Sequence, residues 1–226
     1  MNNSVIFPFI ILKAVRPRQW LKNLALFASI IFTGQLFNQS LFTITVKAFL
    51  VFCAVSSANY LFNDVMDADK DRKHPFKKNR PVASGALSKP IALILSFLLL
   101  GLGLLVSAQI NVNFLTITVI YIFLVLSYTL VLKHVAVIDI LTIALAYFLR
   151  VYAGEAATGY HLSIWLSLAV FSLSLFLAIG KRRSELTLLQ NYAGFQPKDT
   201  RTTLGHYSEK LLDTYTAMFA NSTWIT

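Results

Sequence analysis

The chain has 226 residues, of which 56% are hydrophobic and 13% are charged, and its mean hydropathy is +0.64. Soluble domains carry about 25% charged residues, so this composition excludes an ordinary soluble protein and predicts a membrane protein with several spans. The formal net charge is +10, and the single cysteine, Cys53, excludes an internal disulfide.

Six apolar segments are long enough to cross a bilayer, which takes roughly 20 residues. A seventh begins near Leu211 and reaches the end of the sequence. We therefore expect an all-α, polytopic transmembrane helix bundle that forms one domain over residues 1–226. The six predicted spans are Leu21–Phe37, Phe42–Phe62, Pro90–Ala108, Val112–Leu132, Val135–Ala157 and Leu162–Gly180.

The distribution of basic residues predicts the orientation of these spans. If the N-terminus lies in the cytoplasm, the cytoplasmic segments hold 18 of the 20 Lys and Arg residues; these segments are 1–22, 63–89, 133–134 and 181–210. Because positively charged loops stay on the cytoplasmic side, we expect an integral protein of the cytoplasmic membrane with its polar loops inside. The same distribution explains the positive charge without a nucleic-acid partner.

Basic and aromatic residues precede the first predicted span in the stretch Arg16-Pro-Arg-Gln-Trp-Leu-Lys-Asn23. Trp and basic residues at this position are typical of an anchor at the lipid headgroups. Arg16 and Lys22 are also candidates for binding a phosphate group of a substrate. The residues alone leave both interpretations open.

An acidic stretch follows the second predicted span and contains four of the ten acidic residues, in the order Asn63-Asp-Val-Met-Asp67-Ala-Asp-Lys-Asp71. On a helix, Asn63, Asp67 and Asp71 would share one face, with Asp64 close to it. Neighbouring carboxylates repel each other unless a cation lies between them. Oxygen ligands of this kind suit Mg²⁺ held together with a substrate phosphate, so we predict a magnesium site formed by these four residues.

A basic loop, residues 72–85, comes directly after the acidic stretch. Its two prolines restrict the backbone, and Ser84-Gly85 predicts a turn before the next span. Lys77 and Arg80 are candidates for binding phosphate oxygens, Arg80 in bidentate fashion. A metal-binding acidic face beside a basic loop is what a diphosphate substrate requires. The alternative is that these charges only anchor the topology.

Tyr128, Lys133 and Asp139 surround the short turn between the fourth and fifth predicted spans. Asp139 lies one turn inside the fifth span, where an unpaired charge is costly. We expect it to pair with Lys133, a metal ion or the polar face of a pocket. Arg150 lies three helical turns further on the same face. It either extends to the outer membrane surface or belongs to the site.

The sixth predicted span ends in Gly180-Lys-Arg-Arg-Ser-Glu185. Positive charges at a helix C-terminus interact favourably with the helix dipole, which accounts for them without a function. Lys181 and Arg182 are nevertheless candidates for substrate binding at the same charged opening. His206 and Tyr207 are too isolated in the sequence to support an interpretation.

These motifs resemble the UbiA superfamily of intramembrane prenyltransferases. The pattern Asn63-x-x-x-Asp67-x-x-x-Asp71 is similar to the first aspartate-rich motif of that superfamily. Most members carry a second Asp-x-x-x-Asp motif, whereas here Asp139 is followed four residues later by Ile143. That difference argues against an ordinary aromatic prenyltransferase. The chain resembles the decaprenyl-phosphate phosphoribosyltransferase branch in the stretches 16–23, 71–85, 132–150 and 180–185.

The resemblance implies a bundle of nine transmembrane helices, so that this chain would be a C-terminally incomplete domain. It implies transfer of 5-phosphoribose from phosphoribosyl pyrophosphate to a polyprenyl phosphate, with Mg²⁺ as cofactor and release of pyrophosphate. The product would feed arabinose donors for the cell envelope. A homo-oligomer is compatible with this function.

The resulting hypothesis is a metal-assisted substitution at the anomeric carbon of ribose. Asp67 and Asp71 would hold the metal on the pyrophosphate, and Lys77 and Arg80 would neutralise the charge on this leaving group. The lipid phosphate is already an anion and needs no strong general base. Lys133, or the pair formed by Arg16 and Lys22, would position it.

Two other functions stay open at this level. One is an aromatic prenyltransferase that uses a polyprenyl diphosphate, as in quinone synthesis. The other is a transporter or a non-enzymatic assembly partner in the membrane. Transporters favour charged sites near the membrane midplane, whereas the charges of this chain concentrate at one end of the predicted bundle.

Overall fold

The computed structural model of the chain describes residues 3–190 and 207–225. The described residues are mostly helical and contain no β-strand, so the predicted all-α class is confirmed. Short 3₁₀ helices occur at Pro17–Phe27, Lys77–Asn79 and Leu132–His134. The α-helices are α1 (Asn3–Val15), α2 (Ala28–Phe32), α3 (Gln39–Met66), α4 (Ala68–Lys73), α5 (Lys89–Ile110), α6 (Val112–Leu130), α7 (Ile138–Thr158), α8 (Ile164–Gln190) and α9 (Glu209–Ile225).

Five helices of the described part, α3, α5, α6, α7 and α8, are long and apolar enough to cross a membrane. They correspond to the second to sixth predicted spans, which confirms a polytopic helical membrane protein. Helix α8 continues past Gly180, where the sequence predicted its end, because its charged residues pair with one another. Residues 191–206 of the predicted loop 181–210, His206 among them, lie outside the described residues.

The first predicted span, Leu21–Phe37, differs from a regular α-helix. Residues Pro17–Phe27 form a 3₁₀ helix that continues into α2. At a rise of about 2.0 Å for each of 11 residues and about 1.5 Å for each of 5, the two together extend about 30 Å. The first predicted span is therefore a 3₁₀ helix followed by a short α-helix, and it is not among the five helices that are long and apolar enough to cross a membrane.

This 3₁₀ helix runs antiparallel along α3. Trp20 Nε1 donates to Ser57 Oγ at 2.9 Å, and Asn23 lies against Cys53, one helical turn earlier in α3. Beyond them, Phe27 packs on aromatic rings near the start of α3. Trp20 and Asn23 of the 3₁₀ helix therefore face the bundle.

Helix α3 occupies the centre of the bundle and contacts the 3₁₀ helix, α5, α6 and α7. Small residues allow close approach on the α5 side: a Cβ added at Gly103 would lie 2.7 Å from a Val55 methyl group. Ser96 Oγ donates to the Ala58 carbonyl at 2.8 Å across the same interface. Small residues and interhelical hydrogen bonds are the usual means of helix association in membranes.

Gly154 of α7 lies directly against the backbone of the 3₁₀ helix. A Cβ at this position would overlap the Leu26 carbonyl oxygen and lie 2.8 Å from its carbonyl carbon. One turn earlier in α7, Arg150 Nε donates to Asn23 Oδ1 at 2.9 Å. The glycine therefore sets the distance at which α7 presents its polar residues to the 3₁₀ helix.

We predict that Gly154→Ala destabilises the protein, because the new methyl group meets backbone atoms that cannot rotate away. Overpacking of this kind costs roughly 1–3 kcal/mol. Thermal unfolding of the purified protein in detergent should show a lower midpoint. Gly101→Ala is the matched control, since a Cβ at Gly101 meets nothing within 4 Å. Equal midpoints for the two variants would contradict the close approach.

A fully buried ion pair joins α7 to α8. Arg182 Nε donates to Asp139 Oδ2 at 2.6 Å, and both side chains have 0% exposure. Arg182 also donates to Glu185 and to Tyr128 Oη, at 2.7 and 2.8 Å. The sequence analysis expected Lys133, a metal or a pocket as the partner of Asp139. The structure has Arg182 instead, because the continuation of α8 carries this arginine alongside the first turn of α7.

Tyr207 completes this buried group from the other side. Its hydroxyl donates to Asp139 Oδ1 at 2.6 Å and accepts a bond from the Val137 amide at 2.6 Å. Burial, together with the hydrogen bond to Asp139, raises the pKa of Tyr207, so the phenol stays protonated and remains a donor. The residue that supported no interpretation from sequence therefore stabilises the start of α7.

We predict that Asp139→Ala lowers the free energy of unfolding by up to about 3–5 kcal/mol, because it leaves the buried Arg182 with only the partly exposed Glu185 as a counter-charge. The unfolding midpoint in detergent and the yield of monodisperse protein would report this loss. Asp213→Ala is the control, because Asp213 pairs with Arg183 at a side-chain exposure of 59%. Exposed pairs contribute about 0–1 kcal/mol. A smaller effect at Asp139 than at Asp213 would refute a structural role.

Candidate functional site

A cavity of about 260 Å³ opens inside the bundle between α3, α6, α7 and α8. Among the described residues, its lining includes seven basic side chains and two acidic ones, Asp67 and Glu185. The lining includes nine of the residues singled out in the sequence, namely Arg16, Lys22, Asn63, Asp67, Lys77, Arg80, Tyr128, Lys181 and Arg182. Four others, Asp64, Asp71, Lys133 and Asp139, do not belong to the lining.

The sequence predicted one continuous helix for the acidic stretch, but the structure has a break in it. Helix α3 ends at Met66, and Asp67 has φ −95° and ψ 3° between α3 and α4. The Asp67 amide still donates to the Asn63 carbonyl at 2.9 Å, which keeps Asn63 and Asp67 on the cavity side. Asp67 Oδ1 accepts from Lys133 Nζ at 2.6 Å. Lys133 therefore acts on the cavity through Asp67.

Asp64 and Asp71 are arginine partners in this structure. Arg80 Nη1 donates to Asp71 Oδ2 at 2.6 Å and to Asp64 Oδ1 at 3.2 Å. Arg16 Nη2 donates to the same Asp64 oxygen at 2.5 Å. Both carboxylates are buried, at 1% and 4% exposure. These two carboxylates hold the guanidinium groups of Arg16 and Arg80 at the cavity wall. The sequence analysis instead expected both carboxylates to contact a metal ion directly.

Arg16 adopts a backbone conformation that is rare for a residue with a side chain. Its φ is 54° and its ψ is 64°, in the left-handed region. Such conformations cost about 1–3 kcal/mol and persist only where surrounding contacts enforce them. The contacts here are the ion pair with Asp64 and a cation–π contact of 4.9 Å with the ring of Tyr60. The fold therefore accepts strain to direct Arg16 into the cavity.

The basic loop closes one wall of the cavity. Arg72 Nε donates to the Ala83 carbonyl at 3.1 Å, and Gly85 has φ 81°, so the predicted turn before α5 is confirmed. His74 Nδ1 accepts from the amides of Phe76 and Lys77 at 3.2 and 3.3 Å. Burial, and to a smaller extent Lys77, lower the pKa of His74, so it stays a neutral acceptor at neutral pH. This positions Lys77 within 3.8 Å of Glu185 on α8.

Sequence reasoning missed most of the deeper part of the cavity. Asn59, Tyr60, Tyr121 and Tyr147 belong to its lining. Asn59 lies four residues before Asn63, so the four-residue repeat of polar residues continues into the span and was a usable signal. Arg150, for which two orientations were open, is buried at 6% exposure and faces the cavity. The tyrosines carried no such signal, because aromatic residues are common in membrane spans.

The cavity offers few protein ligands to a divalent cation. Asn63 and Asp67 present one amide and one carboxylate, and the buried Asp64 Oδ2 has no hydrogen-bond partner in the described part of the chain. Within 3–190 and 207–225, no three acidic, His or Cys side chains come close enough to bind a metal by themselves. Mg²⁺ commonly takes one or two carboxylates and fills its shell with water and substrate phosphates. The donor set fits that mode of binding.

Comparison with known proteins agrees with this architecture. The chain is 36% identical over 218 residues to the decaprenyl-phosphate phosphoribosyltransferase of Mycolicibacterium smegmatis, covering 95% of this chain and 65% of that protein. It is 36% identical to the enzyme of the same name from Corynebacterium glutamicum, covering 94% of this chain and 62% of that protein. The chain thus spans a little less than two thirds of the length of these relatives.

A solved structure shares the fold. The UbiA homolog from Archaeoglobus fulgidus, bound to GPP and Mg²⁺, has a TM-score of 0.78 at 22% identity, covering 94% of this chain and 76% of that one. Residues 24–185 match the UbiA prenyltransferase family. The family match covers α3, α5, α6 and α7, most of α8, and nearly all the cavity residues. This integral membrane protein therefore belongs to the UbiA prenyltransferase family.

Proposed function

We propose that the chain transfers 5-phosphoribose from phosphoribosyl pyrophosphate to a polyprenyl phosphate, with release of pyrophosphate. The observation that carries this proposal is the charge of the cavity, where seven basic side chains face two acidic ones. Both acids already contact cations of the protein, Asp67 through Lys133 and Glu185 through Arg182. The cavity is therefore suited to a substrate pair with several phosphate groups.

The similarity to named phosphoribosyltransferases supports this choice over an aromatic prenyltransferase. An aromatic acceptor brings at most one carboxylate, and a prenyl diphosphate brings one diphosphate. A phosphoribosyl donor and a lipid phosphate together bring a pyrophosphate and two phosphomonoesters. The excess of basic groups in the cavity therefore matches a phosphoribosyl donor with a lipid phosphate better than an aromatic acceptor with a prenyl diphosphate. We place the reaction at the cytoplasmic face, because the charged end of the bundle carries the loops rich in Lys and Arg.

In this proposal, Asp67 and Asn63 would hold Mg²⁺ beside the pyrophosphate. When bound, the ion supplies charge neutralisation at the leaving group. Lys77, Arg80 and Lys181 contribute to the same end from the cavity wall. Arg80 needs little reorganisation because Asp71 and Asp64 already orient it. Preorganised charges of this kind are the largest contribution to many enzymatic rate enhancements.

The transfer breaks the bond between the anomeric carbon of ribose and the pyrophosphate oxygen, which leaves with the bonding electrons. A new bond forms between that carbon and an oxygen of the lipid phosphate. The lipid phosphate is an anion at neutral pH and requires no proton acceptor. Asp64 and Asp71 act as positioning residues for Arg16 and Arg80. Lys133 positions Asp67, and the lipid phosphate meets the cations of the cavity wall.

We predict that Asp67→Asn reduces Mg²⁺-dependent transfer by roughly 100-fold or more, the scale expected for one lost electrostatic contact at a reacting group. The rate of lipid-linked product formation in membranes measures it. Asp69→Asn is the control in the same acidic stretch, because the Asp69 side chain is 75% exposed and its ion pairs are with the surface residues Arg72 and Lys89. Equal losses in both variants would argue for a general charge effect.

The function itself is tested with radiolabelled phosphoribosyl pyrophosphate, polyprenyl phosphate and Mg²⁺ added to membranes that contain the protein. We predict label in the lipid extract, dependent on both the metal and the lipid phosphate. A parallel reaction contains an aromatic acid and a polyprenyl diphosphate. Product only in the parallel reaction would establish the aromatic prenyltransferase instead, and product in neither would reject both enzymes.

A further inference from the structure

The deep end of the cavity contains a buried guanidinium whose contacts are all neutral. Arg150 lies near the middle of α7, and its bonds go to Asn23 Oδ1 at 2.9 Å, the Ala146 carbonyl at 2.5 Å and Tyr121 Oη at 2.6 Å. A guanidinium has five N–H donors, so these three bonds leave two. Within the described part of the chain, no carboxylate lies within ion-pair distance of Arg150.

A second cation lies beside it. Lys22 Nζ is 5.5 Å from the ring centre of Tyr147, and the Arg150 guanidinium carbon is also 5.5 Å from that ring. Lys22 likewise forms no ion pair with any residue that the structure describes. Two uncompensated charges inside a membrane-spanning bundle are costly, and cation–π contacts with one ring compensate them only in part. This arrangement points to an anion that binds here.

Asn59 gives an independent indication of a ligand. It lies one turn deeper in α3 than Asn63, has 5% exposure and belongs to the cavity lining. Neither Oδ1 nor Nδ2 of Asn59 has a hydrogen-bond partner among residues 3–190 and 207–225. Buried polar groups are nearly always satisfied, because an unpaired one costs its full desolvation energy. An amide that is unpaired on both sides is suited to a ligand with both phosphate oxygens and hydroxyl groups.

We propose that Arg150, Lys22 and Asn59 form a second phosphate subsite, which binds a phosphomonoester while the end near Asp67 binds pyrophosphate. Asn59 and Asp67 are eight residues apart, about 12 Å along the axis of α3. A pentose with phosphate groups at both ends, or two phosphorylated substrates that meet head to head, requires two such separated anion sites. This inference rests on the proposed function and adds which chemical group occupies the deep end of the cavity.

The phosphomonoester has two sources in the proposed reaction. It is either the 5-phosphate of the ribosyl donor or the phosphate of the acceptor lipid. The chemistry that Arg150 and Asn59 recognise is the same in both cases. Ribose 5-phosphate and a short-chain polyprenyl phosphate separate the two sources, and the corresponding polyprenol shows whether the lipid phosphate is responsible for binding.

The decisive variant is Asn59→Leu. It replaces an unpaired amide by an apolar group of similar size, so we predict a thermal stability equal to or above that of the unaltered protein. At the same time it should weaken phosphomonoester binding about tenfold, since it removes a direct contact. Titration calorimetry in detergent measures this affinity, and Mg²⁺ with pyrophosphate should bind within about twofold of the original affinity. A purely structural residue would not lose affinity while stability is kept.

Arg150→Met should weaken the same ligand at least as much, and Arg150→Lys should restore part of the affinity by keeping the charge. If Arg150→Met does not fold, the phosphomonoester affinity of Arg150→Lys provides the test in its place. Lys47→Met is the charge-matched control, because Lys47 is an exposed residue of α3 outside the cavity lining. It should leave every affinity unchanged.

The outcomes separate the inference from the proposed function. Loss of ribose 5-phosphate affinity assigns the subsite to the donor, and loss of polyprenyl phosphate affinity assigns it to the acceptor. Unchanged affinity for both in Asn59→Leu and Arg150→Lys overturns the subsite. Binding of pyrophosphate with Mg²⁺ by the unaltered protein, without binding of either phosphomonoester, rejects the subsite and retains the pyrophosphate site. Failure of the unaltered protein to bind any of these phosphates rejects the proposed function itself.

Discussion

The constraint on which the site depends is an excess of positive charge inside a bundle that crosses the membrane. Charges in this environment are stable only if something compensates them. The chain compensates part of the excess with its own carboxylates, as at Asp64 and Asp71. At Arg150 the residues that the structure describes provide neutral contacts alone. Among the described residues, Arg150 thus keeps a charge with no carboxylate beside it, which favours the binding of an anionic ligand at that end of the cavity.

The acidic residues divide into two groups that the sequence does not separate. Asp67 is partly exposed to the cavity and contacts a lysine, whereas Asp64 and Asp71 are buried and orient arginines. The division follows from the break between α3 and α4 at Asp67, which turns Asp71 toward Arg80. The motif therefore separates into residues that face the cavity, Asn63 and Asp67, and carboxylates that fix arginines, Asp64 and Asp71.

Much of the fold was predictable, because apolar length and the distribution of basic residues are properties of the sequence itself. The five long spans and the convergence of Asn63, Lys77 and Arg80 belong to this part. The pairing of Asp139 with Arg182 was not predictable, since it depends on α8 continuing past Gly180. The direction of Arg150 also depended on tertiary structure, because a helix in lipid gives no amphipathic signal when both of its faces are apolar.

The sequence of the 3₁₀ helix has a three-residue period that an analysis of hydropathy alone does not detect. Trp20, Asn23 and Leu26 recur every three residues, and they contact Ser57, Arg150 and Gly154 in turn. In a 3₁₀ helix such residues are aligned on one face, whereas in an α-helix they would spread around the axis by about 60° per step. Only the three-residue period places the Trp20 indole, the Asn23 amide and the Leu26 backbone together against α3 and α7. The conformation of this segment therefore matches the polar interior that it helps to enclose, and the Asn23 amide meets Arg150 because of it.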